Sequence, residues 1–409
     1  MPQGLVVLLL AMLLGMQPVT TDLYLPALPA LTAGFGGSMA QAQLTLSALL
    51  LAFGCSQLIW GPLSDRFGRR PVLLVGLVMY VAASIGATVA AGMDALIAWR
   101  VLQGIAMGAV VVCARAIVRD LYAPAEGAHV MSKGLSGLGV LACISAPLGG
   151  LLAEFLGWRY ALLALAVFGS AALALVVLRF KEPLAYKNPA ALRPATLARV
   201  WRAVLANPVF LSYSALSAAS YGGLFTFLAT SSFVFIQVLG LSNAAYGGLM
   251  FLNSLAYILG TFLCRQWLAR WGVQKTVALA AGFSLAGGTG MGMLAYLGFE
   301  NVWAIMLPQV VFMLGHGVLQ PCSQSGAIGP FPKSAGAASA LNGFCMMAVA
   351  FGIGIYLGTH MDGTVKPLAY GVWFWGAAIA LVAWTLVWQF GAQTGTTQAL
   401  EAPANPPAS

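Results

Sequence analysis

Charge is scarce in this chain: Asp, Glu, Lys and Arg make up 7% of its 409 residues, against about 25% in an average soluble domain. With hydrophobic residues at 60% and a mean hydropathy of +0.90, that shortage excludes a soluble globule and indicates an integral membrane protein. Acids are scarcer than bases, 10 against 19. The surplus does not indicate a nucleic-acid partner, because all but Arg100, Arg159 and Lys366 of the bases fall in segments assigned to one side. That is the positive-inside bias, and it predicts that both termini lie in the cytoplasm. Histidine is limited to His129, His316 and His360, and the six cysteines, at 55, 113, 143, 264, 322 and 345, form no CxxC pair or Cys/His cluster. Neither a disulfide framework nor a metal site is expected. No G-x-S-x-G, P-loop or dinucleotide fingerprint stands in the context its chemistry needs, so nothing points to an enzyme. The N-terminus lacks the basic opening of a signal peptide, and its apolar run continues past about 15 residues, so it is expected to be kept as the first span.

The apolar runs and the breakers between them predict an all-α membrane protein of twelve spans, each near the roughly 20 residues that cross a hydrocarbon core. They lie at 5–29, 41–60, 71–92, 94–117, 129–152 and 158–179, then at 208–236, 243–264, 273–297, 301–329, 335–359 and 367–390. The expected domains are a six-helix bundle over 1–179, a cytoplasmic connector over 180–206, a second six-helix bundle over 207–390 and a disordered cytoplasmic tail over 391–409. The connector is marked by Pro183, Pro189, Pro194 and a run of basic residues, the tail by Ala, Thr, Gln and Pro. LSDRFGRR at 63–70 has a weak echo in LARWGVQK at 268–275, about half the chain later. The repeat predicts two pseudo-symmetric halves of the same orientation, with a substrate site between them near the bilayer midplane. Ala269 stands in the echo where the first copy has Asp65.

Four of the few charges, Asp65, Arg66, Arg69 and Arg70, crowd into the turn between the second and third spans, with Gly61 and Gly68 beside them. Glycines let two helices reverse within a few residues, and the arginines hold the turn on the cytoplasmic side. Asp65 can sit against the positive N-terminal end of a neighbouring helix and so latch one face of the protein; the cluster can also simply fix topology.

Two charges fall inside spans. Asp22, in QPVTTDLYLP, lies about 26 Å along a first helix that starts near Leu5, and Arg100 lies about 9 Å in from the far end of the fourth span. An isolated charge in hydrocarbon costs at least ~2.5–3.5 kcal/mol. Asp22 and Arg100, at similar depth, are therefore expected to face one cavity, paired directly or through a bridge, either as a proton-linked site or as a static pair. In the tenth span Gln309, His316, Gln320 and Gln324 share a helical face. His316 can titrate near neutral pH, although a lone membrane histidine more often only packs. Asn253, Tyr257 and Thr261 fall at i+4 spacing in the eighth span, and Gln43, Ser47 and Gln57 share a face of the second less cleanly. With Gln17, Tyr24, Tyr221, Phe225 and Phe312, these are candidate cavity residues; packing between helices is the competing reading for each. Pro147, Gly149 and Gly150 allow a kink and a close approach in the fifth span. Glu154, Glu300 and Asp362 fall near span ends, where water solvates them.

The pattern G-x-L-x-D-R-x-G-R-R at 61–70 resembles the loop signature of the major facilitator superfamily. Together with TTDLYLPALPAL, RVLQG, ARAIVRDLY and the stretch from LPQVVFMLGHG to ASALNG, it resembles the Bcr/CflA branch, the bicyclomycin and chloramphenicol resistance exporters. The resemblance spans the chain except the tail. It implies a bacterial inner-membrane antiporter that expels small amphipathic compounds, uses the proton gradient as its energy source, needs no cofactor and works as a monomer in the lipid bilayer. Asp22 is then the acid of coupling and binding, Arg100, Gln103 and Gly104 form the fourth-span motif, and Asp120 partners Arg66 or Arg69 in a cytoplasmic gate. Two positions depart from family patterns. Ala146 precedes Pro147 where antiporters have glycine, and Leu14 stands where a broader multidrug relative has a second acid, which implies one proton per cycle. Export or uptake of a native metabolite, and passive facilitation, remain as alternatives.

Overall fold

The computed structural model describes residues 2–391 apart from 123, 185, 186 and 188–190; the side chains of 124, 125, 128 and 333 are also left aside, and the expected tail lies outside the described residues from 392 onward. Among the described residues every regular element is helical. Eleven helical stretches are long and apolar enough to cross a membrane. One of them, α10 (Asn243–Tyr296), runs 54 residues and breaks at Gly272, where φ is +70°, so it makes two passes and the chain makes twelve. The expected eighth and ninth spans are thus joined without a loop.

The first pass is also broken. α1 (Gln3–Asp22) gives way to a short 3-10 turn at Leu25–Ala27, then α2 (Leu28–Gly34) completes the crossing. Pro18, Pro26 and Pro29 supply no amide hydrogen, which is why the backbone is least regular next to Asp22. The remaining helices of the first half are α3 (Met39–Phe67), α4 (Arg69–Thr88), α5 (Met93–Leu121), α6 (Pro124–Phe155) and α7 (Trp158–Arg179). α3 opens on a capping box between Ser38 and Gln41. Between the halves lies a short helix, α8 (Pro194–Leu205), where the sequence suggests only a connector. Its Val204 is buried while Arg199 and Arg202 are exposed. The second half comprises α9 (Pro208–Ser232), α10, α11 (Val302–Ile328), α12 (Ala335–His360) and α13 (Lys366–Val382).

The halves meet along two seams, α3 against α12 and α6 against the first part of α10. The sequence echo has a shared geometric purpose: Gly68, with φ at +111°, reverses α3 into α4, and Gly272 does the same at the equivalent place in α10. The end of the bundle holding these two turns and the start of α1 is called lower here; the end holding Glu154 and Asn243 is upper.

Candidate functional site

Asp22 is the last residue of α1, half-buried. Its Oδ1 lies 2.8 Å from the Thr21 hydroxyl, which donates to it, and among the described residues it has no ion partner. The carboxylate is within electrostatic range of Tyr221 on α9 and Tyr246 on α10, across the interface with the second half.

Arg100 is elsewhere. It is fully buried, with Nη1 donating to Gln103 Oε1 at 2.7 Å, Nε to the Thr45 carbonyl and Nη2 to the Thr20 carbonyl, both at 3.3 Å. The guanidinium stacks 4.3 Å over the Tyr24 ring. Gln103 passes the chain on to Ser84 Oγ at 2.7 Å, and Tyr80 and Thr20 share a hydroxyl contact of 2.6 Å. One cation thereby ties α1, α3, α4 and α5 together with neutral acceptors and a π face. The expected direct pairing of Asp22 with Arg100 is corrected: the carboxylate takes the Thr21 hydroxyl, the guanidinium takes Gln103 and two backbone carbonyls, and no ion pair joins the two among the described residues. Similar depth did not imply contact: Asp22 lies within electrostatic range of Tyr221 and Tyr246 of the second half, whereas Arg100 is sealed among helices of the first. Tyr24 and Gln103, expected near a cavity, belong instead to this sealed core. Gln17 stays half-buried on α1.

In the second half the candidates are polar but uncharged. His316 is buried, with Nδ1 2.8 Å from Ser220 Oγ and its ring 5.7 Å from Tyr257. Gln309 donates to Asn253 Oδ1 at 3.3 Å, leaving its own Oε1 buried without a partner. Phe225 and Phe312 are buried, Phe312 packing where Gly223 leaves room for its ring. Gln324 donates to Gln320 Oε1 at 3.1 Å. Across the seam, Gln43 of α3 donates to the Ala229 carbonyl of α9 at 2.7 Å, and its Oε1 is also unpartnered. Ser47, Gln57 and Thr261 bond within their own helices.

At the lower end the charged turn closes on Arg69, which is nearly fully buried. Its Nη1 meets Asp65 Oδ1 at 2.6 Å and its Nε meets Asp120 Oδ2 at 2.7 Å. Arg69, rather than Arg66, is the partner of Asp120; Arg66 lies over the Phe67 ring at 5.5 Å. Asp65 bonds to the Arg69 side chain and not to the amides that open α4. That position is taken by Glu182, whose two oxygens accept from the Arg69 and Arg70 amides at 2.9 and 2.8 Å, satisfying the open donors of α4. Sequence reasoning passed over Glu182; its signal was a single acid inside an otherwise basic connector. Gly61 is half-buried and Gly68 has no space for a Cβ beside Glu182.

The upper seam is built on α6. A Cβ at Gly149 would strike the Leu23 carbonyl next to Asp22, and one at Gly150 would strike the Asn243 carbonyl. Gly247 of α10 in turn packs on Ala146 and Pro147, and Glu154 accepts from the Ala244 amide at 2.7 Å. The fifth-span small residues therefore hold both the break in α1 and the other half. Asp362 is exposed, and the Thr364 hydroxyl, donating at 2.7 Å, holds its carboxyl below the usual range.

The described residues contain no group of three potential metal ligands. A model of the Major Facilitator Superfamily matches residues 7–355. The chain is 30% identical over 336 residues to "Multidrug resistance protein D" of Escherichia coli K12, an alignment covering 82% of this chain and 84% of that protein. It is 26% identical to the "Bicyclomycin resistance protein homolog" of Haemophilus influenzae, with 89% and 91% covered. Its fold resembles that of the xylose transporter XylE from E. coli, with a TM-score of 0.74 at 12% identity and 95% and 99% covered.

Proposed function

This chain belongs to the major facilitator superfamily, and from that premise we propose that it is a proton-coupled multidrug efflux antiporter of a bacterial inner membrane, with both termini in the cytoplasm and a single chain as the working unit. The observation that carries the reading is Asp22: a carboxylate at a break in a membrane helix, half-buried, with one hydroxyl donor and no counter-ion. Holding its charge in a dry site is costly. A proton removes that charge, and a cationic or strongly donating substrate offsets it, so the two relieve the same cost and compete for one group. Competition at a single acid, reached from one side and then the other, yields exchange. Because Leu14 adds no second acid, one proton moves per cycle.

The rest of the molecule supports this role. The Arg100 network holds the backbone at Thr20 still, two residues from the acid. Tyr221 and Tyr246 offer aromatic surface near Asp22, and the Asn253 and Gln309 amides offer hydrogen bonds; such a mix suits small amphipathic compounds. The Arg69 cluster braces the lower ends of α3, α4 and α5, and the α3–α12 and α6–α10 seams are where the halves close in turn as they rock.

The test is Asp22→Asn in proteoliposomes, with proton release followed on addition of bicyclomycin or chloramphenicol. Release is expected to fall at least ~10-fold, the scale of about 1.4 kcal/mol, while the melting temperature is kept. Undiminished release removes Asp22 from coupling.

A further inference from the structure

From the crevice at the foot of α7 we infer a binding site for one anionic phospholipid, its phosphodiester held by Arg179 and Lys181 and its chains lying along Val177 and Leu178. The crevice has a volume of about 360 Å³ and is bounded by residues 177–182 and Arg70. Its two walls differ in chemistry. Val177 and Leu178 are 51% and 75% exposed, apolar side chains turned outward in the last turn of a membrane helix, where hydrocarbon covers them. Arg179 and Lys181 follow directly, at the depth where long basic side chains reach for the headgroup layer. Among the described residues neither has a hydrogen-bond or ion partner.

The other polar groups of the crevice are already engaged, which leaves these two charges for a ligand. Arg70 Nε donates to the Phe180 carbonyl at 2.8 Å and its Nη2 to the Val177 carbonyl at 3.4 Å, so its guanidinium is engaged at the end of α7. Glu182, the only acid present, is held by the Arg69 and Arg70 amides and by the Leu184 amide at 3.1 Å. A small anion would satisfy the charges but leave the exposed apolar wall unused. A zwitterionic lipid would use the wall but bring its own cation against Arg179. Basic pockets beside membrane helices recognise anionic headgroups on this principle. The expected ligand is therefore a lipid with net negative charge.

Native mass spectrometry of the full-length protein in detergent tests the site, with dioleoylphosphatidylglycerol, dioleoylphosphatidylcholine and inorganic phosphate as separate probes. One phosphatidylglycerol should be retained at least ~5-fold more strongly than phosphatidylcholine, and phosphate should neither bind nor displace it at equal concentration. The Arg179→Gln/Lys181→Gln double variant should lose at least ~5-fold of that retention, given the usual effect of each basic residue near a charged membrane surface. The α8 variant Arg199→Gln/Arg202→Gln should stay within ~2-fold of the parent. Lys181→Glu serves as a second probe if the double variant folds poorly, and should weaken retention by repulsion. Equal retention of both lipids, displacement by phosphate, full retention in the crevice variants, or an equal loss in the α8 variant each overturns the proposal.

Discussion

The two halves of this transporter share a helical plan and differ in where they place charge. The first half buries an arginine in a network of neutral acceptors and leaves a carboxylate without a counter-ion beside the seam. The second half answers with His316, Gln309, Asn253 and tyrosines. The same contrast recurs at the two glycine reversals. Around Gly68, Arg69 is pinned by Asp65 and Asp120, whereas around Gly272 the corresponding residues are Ala269 and Val273, which cannot form such a cluster. The difference teaches that the repeat preserves backbone geometry while the ionic devices are confined to one copy.

The largest expected effect breaks the first half's core. Arg100→Leu leaves Gln103 and two backbone carbonyls facing a dry site, at about 1–3 kcal/mol for each acceptor that stays unpaired, so the melting temperature should fall by several degrees in a detergent thermal-shift assay. An unchanged midpoint would mean that the network is not what holds α1 in place. Next is the lower turn. Asp120→Asn weakens one of two ion pairs on a nearly buried guanidinium, and resistance in a drug-susceptible strain should drop several-fold, with lower-end cysteine labelling increased. At the second half's reversal, Gln274→Ala removes only an amide bond to the Trp388 carbonyl at 3.1 Å and should move stability by no more than ~0.5 kcal/mol. Equal effects would erase the asymmetry between the turns. The smallest concerns His316→Gln, which keeps a donor for Ser220: drug-evoked proton release should stay within ~3-fold of the parent. A loss as deep as that of Asp22→Asn would move coupling into both halves.

Much of this architecture was legible before any coordinates. Twelve passes followed from run length, and the reversal between α3 and α4 from glycines among charges, although α3 runs on through the charged stretch to Phe67 and α4 restarts at Arg69. The Asp120 contact was anticipated through family resemblance, but its partner, Arg69 instead of Arg66, was not decided. Asp22 and Arg100 show where legibility ended. Their depths could be read at about 1.5 Å per residue, but the direction each side chain faces depends on neighbours contributed by α3, α4, α9 and α10. Glu182 was missed for a related reason, since its contact lies more than a hundred residues away along the chain.

By itself the sequence determined the medium, the number of crossings, the paired halves and the presence of one deep acid, because hydrophobic run length, glycine punctuation and the cost of charge in lipid act locally along the chain. Tertiary structure alone decided that this acid faces the second half, that Arg100 serves the core of the first, and that Glu182 caps α4. Those outcomes depend on rotation about helix axes and on which helices touch, and neither quantity is fixed until the packing exists.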